Sequence, residues 1–522
     1  MSMIAQDVFG KKKRFFGKST SIKEKMKTAS FNWICFFVLG MSSFFLVQCG
    51  GDEPSQEQIP DSILQADASL EQTTIPETSE KDSAPAEEAI QEESPEEPAQ
   101  EEPNPPEPVV EVTPEPVQEE AHTPEKMLPE PVPEQVNPEK SPALSQKLDL
   151  AVQREMTRQK LVGAAIGVVR KGKIIHMKGY GFADRENKIP VVANKTMFRW
   201  ASISKTIAGI VAVRLHFQKA LDLDASISKY YTTYKVPTTY VEKCNGKTSI
   251  VRGGRTYKCS LGFFTFPIPT AQQKITSRML GGHLGGISHY SNGKGSPSPS
   301  AVSAADPKIN TGMEWAMKNL VNRPLIAVPG SKYSYTTFGF NLLGVVLEKA
   351  GKRSFHDMAK DQIFKPAGMT TMQPDYEWTK IPNRAVGYYS RTSNGKTSIF
   401  RQGSSDVSWK LAGGGFISTL EDMARYCQSL MGNKVLTDAM KKVIWTRQKT
   451  TAGKSISYGI GFSVSSSTTR PFVAHTGSQE KTKTFLYYFL KEETCLVGMT
   501  NSTYANVSSL RNVVDAVVRF NP

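Results

Sequence analysis

The sequence predicts an α/β fold of the α+β kind: an antiparallel sheet flanked by helices, with a mostly helical region inserted between its early and late strands. Two groups of apolar runs predict it. LVGAAIGVV (161–169) and KIIHMKGYG (173–181) come early; YGIGFSV, FVAHTG with its continuation TFLYYF, and CLVGMTN come at the end of the chain. The stretches between them carry helical periodicity. Strands this far apart in sequence can bury their apolar faces together by sharing one sheet.

Ahead of this domain lie two segments of different composition. Residues 1–50 carry net charge +6, residues 51–140 carry −23, and residues 141–522 carry +31. The basic stretch KKKRFFGKSTSIKEKMK precedes the 17-residue apolar run FNWICFFVLGMSSFFLV, the layout of an export signal. The run ends in LVQC, which resembles a bacterial lipoprotein box and makes Cys49 the expected lipidation site. A run of this length can also serve as an uncleaved membrane anchor. Residues 1–49 are thus a signal or lipoprotein anchor, and 50–143 are expected to be a disordered Pro/Glu-rich tether, too charged and too poor in apolar residues to form a core. The expected location is a bacterial cell envelope, periplasmic or surface-exposed, with membrane contact through the N-terminal anchor.

Within 144–522 the elements follow in order. A helix is expected around Ser145–Gln159, then the two early strands. Next comes RWASISKTIAGIVAVRLHF, where Ile203, Ile207, Ile210, Val211 and Leu215 form an amphipathic helical stripe with Ser202 at its first turn. Serine and lysine three apart meet only on one helix face, so Ser202 and Lys205 are expected to be neighbours. There the free amide groups and the helix dipole favour an alkoxide and a developing oxyanion. Lys205 is able to take the serine proton if burial and a neighbouring cation depress its pKa. The same tetrapeptide SISK recurs at Ser226–Lys229, but YYTTYKVP after it favours extended chain, with Lys229 splayed from Ser226 in a solvated segment.

Residues 231–273 are expected to be a long irregular insertion. Within it Cys244 and Cys259 bracket NGKTSIVRGGRTYK, whose NG and GG turn signals predict a hairpin-like loop closed by a disulfide. Cys427 and Cys495 are expected as buried free thiols of the core. His283 in GGHLGGI is expected to be structural, bonded to local backbone. Tyr335 and Thr337 lie just before a helix carrying Phe340, Leu343, Val346 and Leu347, and His475-Thr476-Gly477 sits at a strand edge. A last helix, NVVDAVVRF, closes the chain.

Ser-x-x-Lys, then Tyr-x-Thr in a PG-x-x-Y-x-Y-x-x-x-G-x-x-LLG frame, then His-Thr-Gly, in that order, resembles the serine β-lactamase and penicillin-binding-protein superfamily, and within it the class C, esterase and D-peptidase-like branch. GYGFADRENKIPV, ITSRMLGGHLGGISHY, FKPAGMTTM and LAGGGFISTLEDMARYCQSLM extend the likeness over roughly 144–520. The resemblance implies Ser202 as acylated nucleophile, Lys205 as general base, Tyr335 as proton shuttle to the leaving group, and His475 as a residue holding a substrate carboxylate or tuning Tyr335. It implies the backbone N–H groups of Ser202 and Ser478 as the oxyanion hole, and Thr337, Thr476 and Gly477 as substrate contacts.

Three positions depart from the family pattern. Thr337 replaces the usual Asn, His283-Leu284-Gly285-Gly286-Ile287 lacks the usual hydroxyls, and SQEKTKT follows His-Thr-Gly where small glycine-rich residues are usual. Glu480, Lys481 and Lys483 are therefore expected beside the oxyanion strand, narrowing the cleft or recruiting an anion. The function implied is an exported serine hydrolase acting on an amide, peptide or ester, one class of partner being peptidoglycan-related; the alternative is a weak or inactive envelope-binding relative of the same fold. No G-x-S-x-G elbow, P-loop, dinucleotide fingerprint or histidine metal spacing occurs, so no cofactor and no metal is expected. The basic groups of 141–522 are scattered, and export removes nucleic acid as a partner. Anionic envelope polymers or the chain's own acidic tether are the expected counter-charges.

Overall fold

A computed structural model describes residues 142–289, 312–317, 323–377, 379–403 and 405–521. The anchor at 1–49, its Cys49, and almost all of the tether at 50–143 lie outside the described residues.

Helix α1 (Pro142–Gln159) opens the described chain, followed by the hairpin of β1 (Gly163–Arg170) and β2 (Lys173–Asp184) and a short β3 (Ile189–Pro190). The late strands are β8 (Ser463–Val464), β9 (Phe472–Gln479), β10 (Thr482–Phe489) and β11 (Thr494–Thr500). Together they form an antiparallel sheet of order β8-β9-β10-β11-β1-β2-β3, so the early and late strands meet at the β11–β1 seam. Register there runs from Ala164 opposite Thr500 to Arg170 opposite Thr494.

One sheet face is covered by α1 and the last helix, α5 (Val507–Arg519), around Leu148, Val152, Leu510 and Val514. The other face packs on the inserted helical region, whose centre is α2 (Ser204–Phe217) with α3 (Thr337–Gly351) and α4 (Leu420–Met431) around it. The amphipathic stripe expected for α2 is incomplete as a description. The helix is buried nearly all round, from Ser204 to Val213 without a break. Small residues permit this: a Cβ on Gly209 would stand 2.3 Å from the carbonyl oxygen of Ile460.

Two expectations fail here, for physical reasons. The insertion is not irregular: β4 (Thr239–Lys243) pairs with β7 (Phe263–Pro267), and β5 (Ser249–Arg252) with β6 (Arg255–Lys258), Cys244 and Cys259 being bonded across them. Closing a loop of this length is worth about 3 kcal/mol in chain-entropy terms. Cys427 of α4 and Cys495 of β11 are fully buried, as expected, but are bonded to each other rather than free. Their 68-residue separation hid a pairing that only the packing of α4 on the sheet creates.

The second SISK also differs in detail. Ser226 caps a single 3-10 turn, Ile227–Lys229, instead of an extended segment, its Oγ accepting from the Ser228 amide, while Lys229 is exposed.

Candidate active site

Ser202 lies in the 3-10 turn Ala201–Ile203 that leads directly into α2, and Lys205 is on the first turn of the helix. Ala201 holds φ of 48°, a left-handed value that costs a non-glycine residue about 1 kcal/mol or more. This kink turns the chain from the short strand Phe198–Arg199 into the helix and leaves Ser202 half-buried between them.

The fully buried Lys205 Nζ is 3.0 Å from Ser202 Oγ, 2.7 Å from the Gly413 carbonyl and 3.2 Å from Thr337 Oγ1. It also stands 4.9 Å from the centre of the Tyr335 ring and 5.7 Å from that of Phe340. Burial is the condition under which a lysine becomes able to act as a base near neutral pH. Thr337, the first residue of α3, therefore directs its hydroxyl at Lys205, with its methyl packed towards Gly413.

Tyr335 precedes the Thr336 cap of α3, whose Oγ1 accepts from the Gly339 amide at 3.1 Å. Behind Tyr335 stands His283, fully buried, its ring 4.3 Å from that of Tyr335 centre to centre. His283 Nδ1 accepts from the Thr336 amide at 3.1 Å, so its backbone partner is 53 residues away and not local. Burial, then Lys205, holds its pKa well below the usual imidazole range, leaving it neutral.

His475 lies on β9, its ring centre 6.3 Å from that of Tyr335. Its Nδ1 is 2.5 Å from the Thr476 carbonyl, which can only accept, so Nδ1 carries the proton. Its Nε2 accepts from the hydroxyl of Tyr458 at 2.7 Å. Burial keeps the Tyr458 phenol protonated, and burial with Lys205 pushes the His475 pKa down to about 3. Both ring nitrogens are thus engaged by the protein itself, and the imidazole is uncharged.

The strand carrying Thr476, Gly477 and Ser478 is pressed against the nucleophile turn. A Cβ on Gly477 would fall 2.6 Å from the Trp200 carbonyl oxygen and 3.0 Å from Ala201 Cβ, so only glycine allows this approach. Two threonines of the neighbouring strand fasten the contact: Thr482 Oγ1 donates to the Arg199 carbonyl and Thr484 Oγ1 to that of Trp200, each at 3.1 Å. Ser478 is half-buried beside them, paired in register with Lys483.

Within SQEKTKT, then, Thr482 and Thr484 hold the site together. Lys481 occupies the β9–β10 turn at φ 71° and folds away from the nucleophile into a network of charges. Its Nζ lies 3.8 Å from Glu377, and its amide donates to Gln402 at 2.9 Å. At the centre of that network Arg199 donates to Asp375 at 2.5 Å, to Ser405 and, at 3.3 Å, to the Glu480 carbonyl, while Arg384 reaches Asp375 at 2.7 Å. Arg199 stands three residues before Ser202, so one side chain ties the nucleophile segment to the hairpin tip that follows Ser478.

The structure thus brings Ser202, Lys205, Tyr335, Thr337, His475, Thr476, Gly477 and Ser478 into one cleft between the sheet and the helical region. Sequence reasoning missed Tyr458, Arg199 and the two threonines. YGIGF held the only signal for Tyr458, an aromatic in an apolar run, and that pattern equally describes a core residue.

A serine beside a buried lysine, faced by a tyrosine and walled by an antiparallel strand, is the arrangement of the serine β-lactamase and penicillin-binding-protein fold class. The Beta-lactamase family profile matches residues 148–517, and the chain belongs to that family. It is 26% identical over 311 residues to the mitochondrial serine beta-lactamase-like protein LACTB of Mus musculus, covering 52% of this chain and 54% of that protein. It is 23% identical over 248 residues to Protein flp of Staphylococcus aureus strain MW2, covering 47% and 41%. The chain spans about half the length of these sequence relatives. In fold it is similar to the octameric penicillin-binding protein homologue from Pyrococcus abyssi (TM-score 0.55, 19% identity, 72% of this chain and 77% of that one). It is equally similar to EstCE1, a hydrolase with promiscuous acyltransferase activity (TM-score 0.55, 19% identity, 72% and 98%).

Proposed function

We propose that the chain is an exported serine hydrolase that cleaves an amide, peptide or ester bond through an acyl-enzyme on Ser202. The observation that carries this reading is the 3.0 Å contact between Ser202 Oγ and the buried Lys205 Nζ. Ser202 Oγ attacks the acyl carbon and its proton passes to Lys205. The oxyanion so formed is held by the backbone N–H groups of Ser202 and Ser478, one such donor being worth about 3–4 kcal/mol in other hydrolases. The proton then moves through Tyr335 to the departing amine or alcohol. Water attacks the ester, its proton returning through the same groups, and Ser202 regains its hydrogen.

His475 supports the geometry of β9 and offers no positive charge, which fits a substrate whose binding does not depend on a carboxylate at that point. Thr337 serves Lys205, so the acyl chain is contacted mainly by the β9 edge at Thr476–Ser478. Envelope location is part of the proposal. It is supported by the leader pattern ending at Cys49 and by the two disulfides, which persist in oxidising compartments.

A fluorophosphonate probe, read by intact mass, tests the reaction. One adduct per chain is expected, located on the Ser202 peptide and absent from Ser202→Ala. An unlabelled wild-type protein with intact circular dichroism would overturn the enzyme reading in favour of a binding protein of the same fold.

A further inference from the structure

The paired hairpins β4–β7 and β5–β6 form an arm, Thr239–Pro267, clasped by Cys244–Cys259. It carries Lys243, Lys247, Arg252, Arg255 and Lys258, all exposed, against one acid, Glu242. Glu242 is engaged by Arg252 at 3.1 and 3.2 Å. Among the described residues no carboxylate makes an ion pair with the other four cations. Elsewhere many surface cations are matched: Lys178 with Asp149, Arg278 with Asp224, Arg353 and Lys365 with Asp361, Arg470 with Glu492 and Asp515. The arm also presents Val251 at 68% exposure and Leu261 at 97%. Each of its two sheets has only two strands, β4 being bridged on its outer side, among the described residues, to Leu325 alone.

Its complement must be acidic, with small apolar side chains between the charges. Residues 107–120, EPVVEVTPEPVQEE, have this chemistry: five glutamates, four valines and no Lys or Arg. We propose that the arm is the docking surface for this acidic segment of the same chain. Reach does not limit it. The 21 residues between 120 and 142 can span at most about 70 Å, against a radius of gyration near 21 Å for a domain of roughly 380 residues. Covalent linkage puts the segment at about millimolar effective concentration, enough for weak ionic contacts to be populated.

Backbone hydrogen bonds anchor the arm to the domain. The Val241 amide donates to the Leu325 carbonyl at 2.8 Å and the Ile326 amide to that of Gly286 at 2.8 Å, three residues from His283 behind Tyr335.

Zero-length carbodiimide crosslinking of the full chain, mapped by mass spectrometry, tests this. Crosslinks from Glu107–Glu120 are expected to concentrate on Lys243, Lys247 and Lys258. They should fall at least about fivefold near 0.5 M salt, where screening reaches within a few ångström, and be independent of protein dilution. Lys243→Glu/Lys247→Glu/Lys258→Glu, checked for fold by circular dichroism and by unchanged Ser202 labelling, should leave the segment's remaining crosslinks to other lysines no higher than background. Crosslinks spread over lysines in proportion to exposure overturn the proposal. So does dependence on dilution, which makes the occupant a second copy, and so does protection of the arm lysines from acetylation solely by phosphatidylglycerol vesicles, which makes it a lipid surface.

Discussion

Lys205 Nζ lies within hydrogen-bond distance of oxygens from three separate segments, at Ser202, Thr337 and Gly413, so its amine is fixed by the fold and not by its own helix alone. Lys205→Met keeps the stem and removes the base; fluorophosphonate labelling of Ser202 should slow by about 10²–10⁴-fold, the usual contribution of a positioned base. Labelling at the wild-type rate would exclude Lys205 from proton transfer. Tyr458 acts one step further out, through His475. Tyr458→Phe leaves the buried His475 Nε2 without its donor, a penalty of about 1–3 kcal/mol. Hydrolysis of a chromogenic ester should show kcat reduced about tenfold with KM little changed. In nitrogen NMR the His475 Nε2 resonance should also shift towards that of an unbonded imine nitrogen, Nδ1 keeping its proton on the Thr476 carbonyl. A lower melting temperature with an unaltered Nε2 resonance would reduce Tyr458 to a packing residue.

Among the elements, the β9–β10 hairpin depends most on its fastening. Arg199→Met would leave Asp375 buried with only Arg384, and breaking a buried pair in this way costs about 3–5 kcal/mol. Urea unfolding should show that loss, along with slower Ser202 labelling because the Glu480 carbonyl is released. Gly477→Ala should abolish labelling while leaving most of the secondary structure intact, since its methyl collides with the Trp200 carbonyl.

The sequence made α2 and its Ser202–Lys205 pair legible because both residues belong to one turn of one helix, and local periodicity is enough to place them. The late strands were legible because each is a compact apolar run. The roles of Thr482 and Thr484 were not, since their partners are carbonyls near residue 200 and nothing in KTKT distinguishes a clamp from a solvated strand. Charge alone misread Lys481: a positive φ at the hairpin tip and a carboxylate near residue 377 turn it away from the cleft. The β4–β7 arm was hidden for a further reason: its strands are only four or five residues long, and β4, which pairs with the alternating Phe263–Pro267, is polar.

At the scale of the domain, several histidines are held as neutral rings, His176, His283 and His475 buried and His289 and His356 half-buried. His176 is held at a pKa of about 4, His289 and His475 at about 3, and His283 and His356 below the ordinary value, burial being the first cause in each. In the unfolded chain each titrates near 6.5. Between the folded and unfolded values the unfolded state binds more protons, so unfolding free energy rises with pH across that window and falls as acid is added. Each such ring contributes up to about 1.4 kcal/mol per pH unit below 6.5. Urea unfolding from pH 7.5 to 5 should therefore show stability dropping steeply below about 6.5; a flat profile would mean that these rings are already protonated in the fold.

The β11–β1 seam joins residues 163–170 to 494–500, with the hairpin of 472–489 lying beyond it. A chain that emerges from its N-terminal end therefore exposes β1 and β2, then Ser202 and Lys205, long before their partners arrive. The wall at Gly477 and Ser478 is supplied by a stretch that emerges far later. The site is in effect timed by its own topology, Ser202 staying without its strand wall until that stretch has folded back. Such long-range closure makes folding slow, and a nascent chain halted before residue 477 should leave Ser202 unlabelled by a fluorophosphonate.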